Sequence, residues 1–175
     1  MRGITLGVVS QKRAYYTLFS EDEITATLFD EEVGVHLGMK FTVSMDGWIY
    51  GTRFYKSLGH LGINTAQLFD IGGNLLASEI YENESVSGWQ SVYFTDPQFV
   101  STGGIYIISY HNNMGYYSST NNFFTEEVVN GPITALNSDD VRSLGNGVFK
   151  YSPTPSFPDE TWAQTNYWID ILFST

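Results

Sequence analysis

The sequence predicts an all-β domain, an antiparallel β-sandwich of jelly-roll or related topology. Three observations carry this. Val35–Val43 alternates strictly, with Val35, Leu37, Met39, Phe41 and Val43 apolar and His36, Gly38, Lys40 and Thr42 small or polar, the pattern of a half-buried antiparallel strand. Further strand-like segments follow at short intervals between turn signals. Of the 175 residues, 16% are aromatic and 17 are glycine, while only 15% are charged. Pleated surfaces take aromatic side chains and turns take glycine.

The elements follow in order. Asp46-Gly47 after the first strand is a hairpin signal, which makes residues 48–55 the returning strand. Residues 65–69 and 75–81 flank the tight turn Gly72-Gly73-Asn74. Gly88 precedes a strand over 89–94, which Asp96-Pro97 ends, and Gly103-Gly104 opens another over 105–110. Residues 111–165 are less regular and rich in Asn, Ser and Gly. Within them Ser138-Asp139-Asp140 suits the cap of a single helical turn. Gly145-Asn146-Gly147 turns into Val148–Tyr151, and Pro153, Pro155 and Pro158 forbid a central strand after it.

In the last segment, residues 167–173, Tyr167, Ile169, Ile171 and Phe173 alternate with Trp168, Asp170 and Leu172, so burial on both faces is expected. Trp48, Trp89 and Trp168 fall in strands, as core or sheet-face residues. Asp170, between two isoleucines, is expected to pair with Arg53 or Lys56. No sustained helical period, internal repeat or linker interrupts the chain. Residues 26–175 therefore read as one sandwich domain, preceded by an N-terminal extension, residues 1–25, suited to an edge or assembly strand.

Composition excludes several functions. The net charge of −11 argues against nucleic acid, whose phosphates need Lys and Arg, and against anionic membrane surfaces. No apolar run approaches the roughly 20 residues of a membrane-spanning helix. With no cysteine, there is neither a disulfide framework nor a thiolate metal site. The first ten residues lack a signal-peptide core.

Several ordered blocks resemble a known family. They begin with Val35-His36-Leu37-Gly38-Met39-Lys40-Phe41, Asp46-Gly47, Gly51-Thr52-Arg53-Phe54-Tyr55-Lys56, Leu75-Leu76-Ala77 and Ser87-Gly88-Trp89-Gln90. They continue through Ile107-Ile108-Ser109-Tyr110-His111, Gly131-Pro132-Ile133-Thr134-Ala135-Leu136, Gly147-Val148-Phe149, Phe157-Pro158 and Asn166-Tyr167-Trp168-Ile169-Asp170. Over roughly residues 27–174 they resemble the bacterial domain of unknown function 4082, an uncharacterised β-sandwich module. Its members sit in large secreted proteins beside immunoglobulin-like, fibronectin-like and polysaccharide-active domains. The resemblance implies a carbohydrate-binding-module-like fold and a binding or spacer role. Two local departures stand out: His36 occupies a position that is usually acidic, and 138–146 is a longer, more charged connection. The chain also stands alone where the family is usually one bead among many, which suggests a subunit of an assembly.

No catalytic constellation emerges. The carboxylates at 21–23, 30–32, 126–127, 139–140 and 159–160 lie in loops or strand ends, where adjacent charges are usually solvated, and no motif sets two of them across a sugar. There is no EF-hand loop, though the resemblance leaves a structural calcium open. His36, His60 and His111 lack metal-ligand spacing, and neither a nucleophile elbow nor a phosphate loop occurs. The expectation is that the protein is not an enzyme.

The aromatics outside the clearest strands are the candidates for binding, because sugar C–H faces stack on aromatic planes while polar neighbours fix the hydroxyls. The expected ligand site is Tyr116, Tyr117, His111 and Asn113, with Asn112, Asn121 and Asn122 nearby, extended by Tyr151, Phe157 and Trp162. The first expectation is thus glycan or polysaccharide recognition, without cofactor, in an extracellular, cell-surface or virion-surface adhesion protein. The alternative is a structural subunit of a virus particle, fibre or surface layer, such as a capsid decoration, forming a homo-oligomer or lattice through its N-terminal extension.

Overall fold

The computed structural model describes residues 14–21 and 24–175. Its strands are β1 (Thr27–Asp30), β2 (Val35–Val43), β3 (Gly47–Lys56), β4 (Asn64–Asp70), β5 (Leu75–Ile80), β6 (Gly88–Val100), β7 (Tyr106–Asn112), β8 (Tyr116–Ser119), β9 (Val128–Asn130), β10 (Ile133–Ala135), β11 (Val148–Tyr151), β12 (Glu160–Thr161) and β13 (Ile169–Ser174). All pairings are antiparallel, and no described residue is helical.

One layer is a large sheet ordered β12-β11-β2-β7-β4-β5, with β10 on the far half of β2 and β9 beyond it. The second sheet is ordered β13-β3-β6, and β1 and β8 form a separate ribbon. The alternating residues of β2 enter the core between the layers, where they meet Phe54, Leu68, Ile108, Tyr110, Trp168 and Ile171. Burying such side chains stabilises each by about 1.5–3 kcal/mol.

β2 departs from the half-buried expectation, because His36 on its other face is also fully buried. The proline-bearing segment 152–158, which forms no strand, runs across the outside of the large sheet. The Ser152 N–H donates to the Gly34 carbonyl at 2.8 Å, the Ser156 N–H to His36 Nδ1 at 3.0 Å, and Phe157 packs edge-on against Phe69.

Asp46-Gly47 is not a hairpin. β3 pairs with β13 and β6, so the chain crosses here from one layer to the other. The glycine serves close packing: a Cβ on Gly47 would lie 2.4 Å from the Phe173 ring. The Gly72-Gly73-Asn74 turn does join a hairpin, β4–β5, with Gly73 at φ 84° and the Asp70 carboxylate accepting the Asn74 N–H at 2.9 Å.

Asp96-Pro97 does not end β6. The ladder shifts register between Ile49 and Gly51, so residues 94–97 bulge and Pro97 owes no ladder hydrogen bond. Residues 138–144 make turns rather than a helix, with the Leu144 N–H reaching the Asp140 carbonyl at 3.1 Å.

β10 and β11 share one edge of β2, and Asn146 fills the gap between them. Its amide accepts the Lys40 N–H at 2.8 Å and donates to the Lys40 and Leu136 carbonyls at 2.9 and 2.6 Å. A side chain there completes the ladder.

Of the N-terminal extension, residues 14–21, 24 and 25 are described. Tyr16 pairs with Phe173 on the edge of β13, and Leu18 and Phe19 are buried. Asp170 holds them: its fully buried carboxylate accepts the Leu18, Phe19 and Ile171 N–H groups at 2.7, 3.1 and 2.8 Å and Arg53 Nε at 3.1 Å. Arg53 also pairs with Glu21 and lies 4.2 Å over the Trp89 ring. The partner of Asp170 is thus Arg53. Lys56 instead pairs with Glu84. Of the tryptophans, Trp168 is in the core while Trp48 lies exposed on the three-stranded sheet.

Candidate functional site

A cleft of about 340 Å³ opens where the β1–β8 ribbon faces β11 at the side of the large sheet. Volumes of this order accommodate a small ligand. Alternation along β8 aims Tyr117 and Ser119 into it, and alternation along β11 brings Phe149 and Tyr151. Val35 and Leu37 of β2 form the apolar floor, and Trp162, Thr165 and Tyr167 close the far side from the connection before β13.

The aromatic wall is cross-braced. Phe29 lies opposite Tyr117 in the ribbon and stacks on it at 5.3 Å between centroids. Tyr167 meets Tyr117 edge-on at 5.8 Å, and Tyr151 meets Phe149 edge-on at 5.7 Å. Such offset and edge geometries favour the ring quadrupoles and hold the planes in place.

Two acceptors stand among the rings. Glu31 Oε1 accepts the Tyr117 hydroxyl at 3.0 Å. The Thr165 hydroxyl lies 2.9 Å from Asn121 Oδ1 and 2.7 Å from the Trp162 carbonyl oxygen, which ties down the loop that carries the indole. Burial, followed by the hydrogen bond to Glu31, pushes the Tyr117 phenol well above its usual range. Burial and the Glu31 charge also raise Tyr151, and burial raises Tyr167. All three phenols therefore stay protonated at neutral pH. Among the described residues, the lining contains no Lys, Arg or His, and Glu31 is its one carboxylate.

Three of the seven residues expected from the sequence meet here: Tyr117, Tyr151 and Trp162. The other four are placed elsewhere. Tyr116, one residue out of phase on β8, faces the opposite side, where its ring lies 6.2 Å from His60. His111 is buried beneath the 152–158 segment, with Nε2 2.9 Å from the Ser152 carbonyl oxygen. Asn113 Oδ1 accepts the Ile63 N–H at 2.8 Å. Phe157 packs with Phe69, Ile107 and Val148 on the outer face of the large sheet.

Sequence reasoning missed Phe29, Glu31, Phe149 and Tyr167 as lining residues. The spacing of Phe29 with Glu31 and of Phe149 with Tyr151 was the available signal, since residues two apart on a strand share a face. Among the described residues, no group of three or more His, Asp or Glu gathers to hold a metal ion, and no helix is long and apolar enough to cross a membrane.

A family model described as a domain of unknown function (DUF4082) matches residues 22–169. No curated protein matches the chain.

Proposed function

We propose, from the premise that the chain belongs to the DUF4082 family, that it is a non-catalytic carbohydrate-binding module whose ligand, a neutral glycan, enters the cleft between β8 and β11. The observation that carries this reading is the lining, six aromatic rings around the acceptors Glu31 and Asn121. Sugar C–H faces stack on aromatic planes, and acceptors take hydroxyl protons. Trp162 is 68% exposed and Tyr151 47%, so both present ring surface to an incoming ligand. A uronate or other acidic sugar would bring its charge beside Glu31 with no cation among the described lining residues, an uncompensated cost. Binding breaks no bond in this reading, because hydrolysis requires two carboxylates flanking the glycosidic oxygen. Such a module acts outside the cell, at a cell or virion surface, in attachment or glycan recognition.

A glycan array probed with and without calcium tests this. Selective binding to neutral glycans that survives calcium removal is expected. Binding confined to acidic glycans, or none, would contradict it.

A second reading, a subunit of a virus particle, fibre or surface layer, draws on a different surface. Trp48 and Phe99 pack edge-on at 5.5 Å on the outside of the three-stranded sheet and are 42% and 52% exposed, with Tyr93 54% exposed on the same sheet. Exposed aromatics on one sheet face favour association. Light scattering separates the readings: an oligomer that Trp48→Ser dissociates supports assembly through this face, and a monomer counts against it.

A further inference from the structure

Away from the cleft, three side chains that could react with one another are gathered between the two layers of the sandwich. Lys56 is the last residue of β3 in the three-stranded sheet, Asn64 the first of β4 in the large sheet, and Glu84 lies between β5 and β6. Glu84 Oε2 is 2.7 Å from Lys56 Nζ and 3.2 Å from Asn64 Nδ2, while Oε1 is 2.9 Å from the same amide nitrogen. The amine and the amide nitrogen thus sit on one carboxylate. Asn64 is fully buried, and the side chains of Lys56 and Glu84 are only 13% and 11% exposed. The Asn64 carbonyl oxygen faces two further groups, Asn112 Nδ2 at 2.9 Å and His60 Nε2 at 3.1 Å.

We propose that Lys56 and Asn64 condense into an intramolecular amide cross-link, with Glu84 as the proton-transferring group. Glu84 takes a proton from the Lys56 ammonium, and the neutral amine's lone pair attacks Cγ of Asn64. Negative charge then develops on Oδ1, where the Asn112 amide and the Nε2–H form of His60 donate, as preorganised donors do for an oxyanion. Glu84 delivers its proton to the amide nitrogen of Asn64 and takes one from the attacking nitrogen. The Cγ–Nδ2 bond breaks, ammonia leaves, the carbonyl re-forms, and the released ammonia carries off the remaining proton as ammonium. One amide replaces another, so no oxidant, reductant or co-reactant is required. Enclosure of the pair holds the reactants in place and excludes competing water. The product is a covalent staple between the layers at the β3–β4 crossing.

His60 suits this role because burial lowers its pKa to about 4, which keeps the ring a neutral donor at the pH of the reaction.

The test is the intact mass of the purified full chain, measured under denaturing conditions after prolonged incubation at neutral pH. The expected result is a deficit of one ammonia. Trypsin should no longer cut after Lys56, leaving the deficit on a fragment spanning 54–142, since no Lys or Arg lies between Lys56 and Arg142. Lys56→Arg and Glu84→Gln should both have their full calculated masses. A full mass in the wild-type chain overturns the proposal. A deficit that persists in Lys56→Arg also overturns it, since ammonia would then be lost elsewhere, as at Asn130-Gly131 or Asn146-Gly147.

Discussion

Asp170 illustrates a single residue doing the work of a whole contact surface. Burial pushes its carboxyl up, and the Arg53 guanidinium with the Leu18, Phe19 and Ile171 N–H groups pulls it back towards ionisation. The sequence made this pairing legible, because an acid between two isoleucines in a closing strand needs a cation and only a few are available. It did not reveal that the same carboxylate seats the N-terminal segment, since backbone donors leave no trace in residue identity. Asp170→Ala should destabilise the protein by about 3 kcal/mol, the lower end for breaking a buried ion pair, because Arg53 loses its buried partner and keeps the exposed Glu21 and the Phe19 carbonyl, and should release residues 14–21 to proteolysis. Denaturant titration and limited proteolysis check both. A variant as stable as wild type would mean that this buried pair contributes little. Asn146 teaches a related lesson: Gly145-Asn146-Gly147 announces a turn, yet the side chain acts as a missing rung of β2.

At the scale of elements, legibility followed the length of the pattern. β2 was readable over its whole span because alternation repeats through nine residues. β1, β8, β9, β10 and β12, of two to four residues each, are too short for a period to emerge, so Tyr116 and Tyr117 read as loop residues and their opposite directions stayed hidden. Asp46-Gly47 misled because the same dipeptide serves a hairpin or a crossing between layers, and only the partner strand decides which.

The 152–158 segment was correctly barred from a central strand by its prolines, but its docking over His36 and His111 was not foreseeable. That docking over His36 and His111, together with the burial of His60 beside Asn64 and Asn112, makes stability depend on pH. Burial, with the neighbouring His111, lowers His36 from 6.5 to about 3, burial lowers His60 to about 4, and His111 is lowered too. The unfolded chain therefore binds these protons first. Their stabilising contribution is fully present above pH 6.5 and is lost as pH falls towards 3. Each fully coupled histidine costs up to about 1.4 kcal/mol per pH unit across its window. Urea denaturation at pH 7.5 and pH 5 should give the lower midpoint at pH 5, and His36→Asn should shrink the difference. A midpoint unchanged or raised at pH 5 would contradict this.

For the whole molecule, the two-layer architecture was legible in composition and turn spacing, whereas the site was legible only in kind. Of the loop aromatics singled out in the sequence, Tyr117, Tyr151 and Trp162 share a cleft. What the sequence could not supply is the apposition of the β1–β8 ribbon with β11, which brings Phe29, Glu31 and Tyr167 to them through pairing between distant segments. His111, Asn113 and Phe157 were drawn instead into holding loops and the outer face. The proposed preference for neutral glycans agrees with the charge: a net charge of −11 repels acidic polymers over the surface.

The most direct test of the carbohydrate-binding account is calorimetric titration of a neutral glycan against the wild-type chain, Trp162→Ala and Tyr151→Ala. The account predicts that each truncation weakens binding by about tenfold, the loss of roughly 1.4 kcal/mol of stacking, with the fold unchanged because Trp162 is largely and Tyr151 about half exposed. Binding that is undiminished in both variants would contradict it.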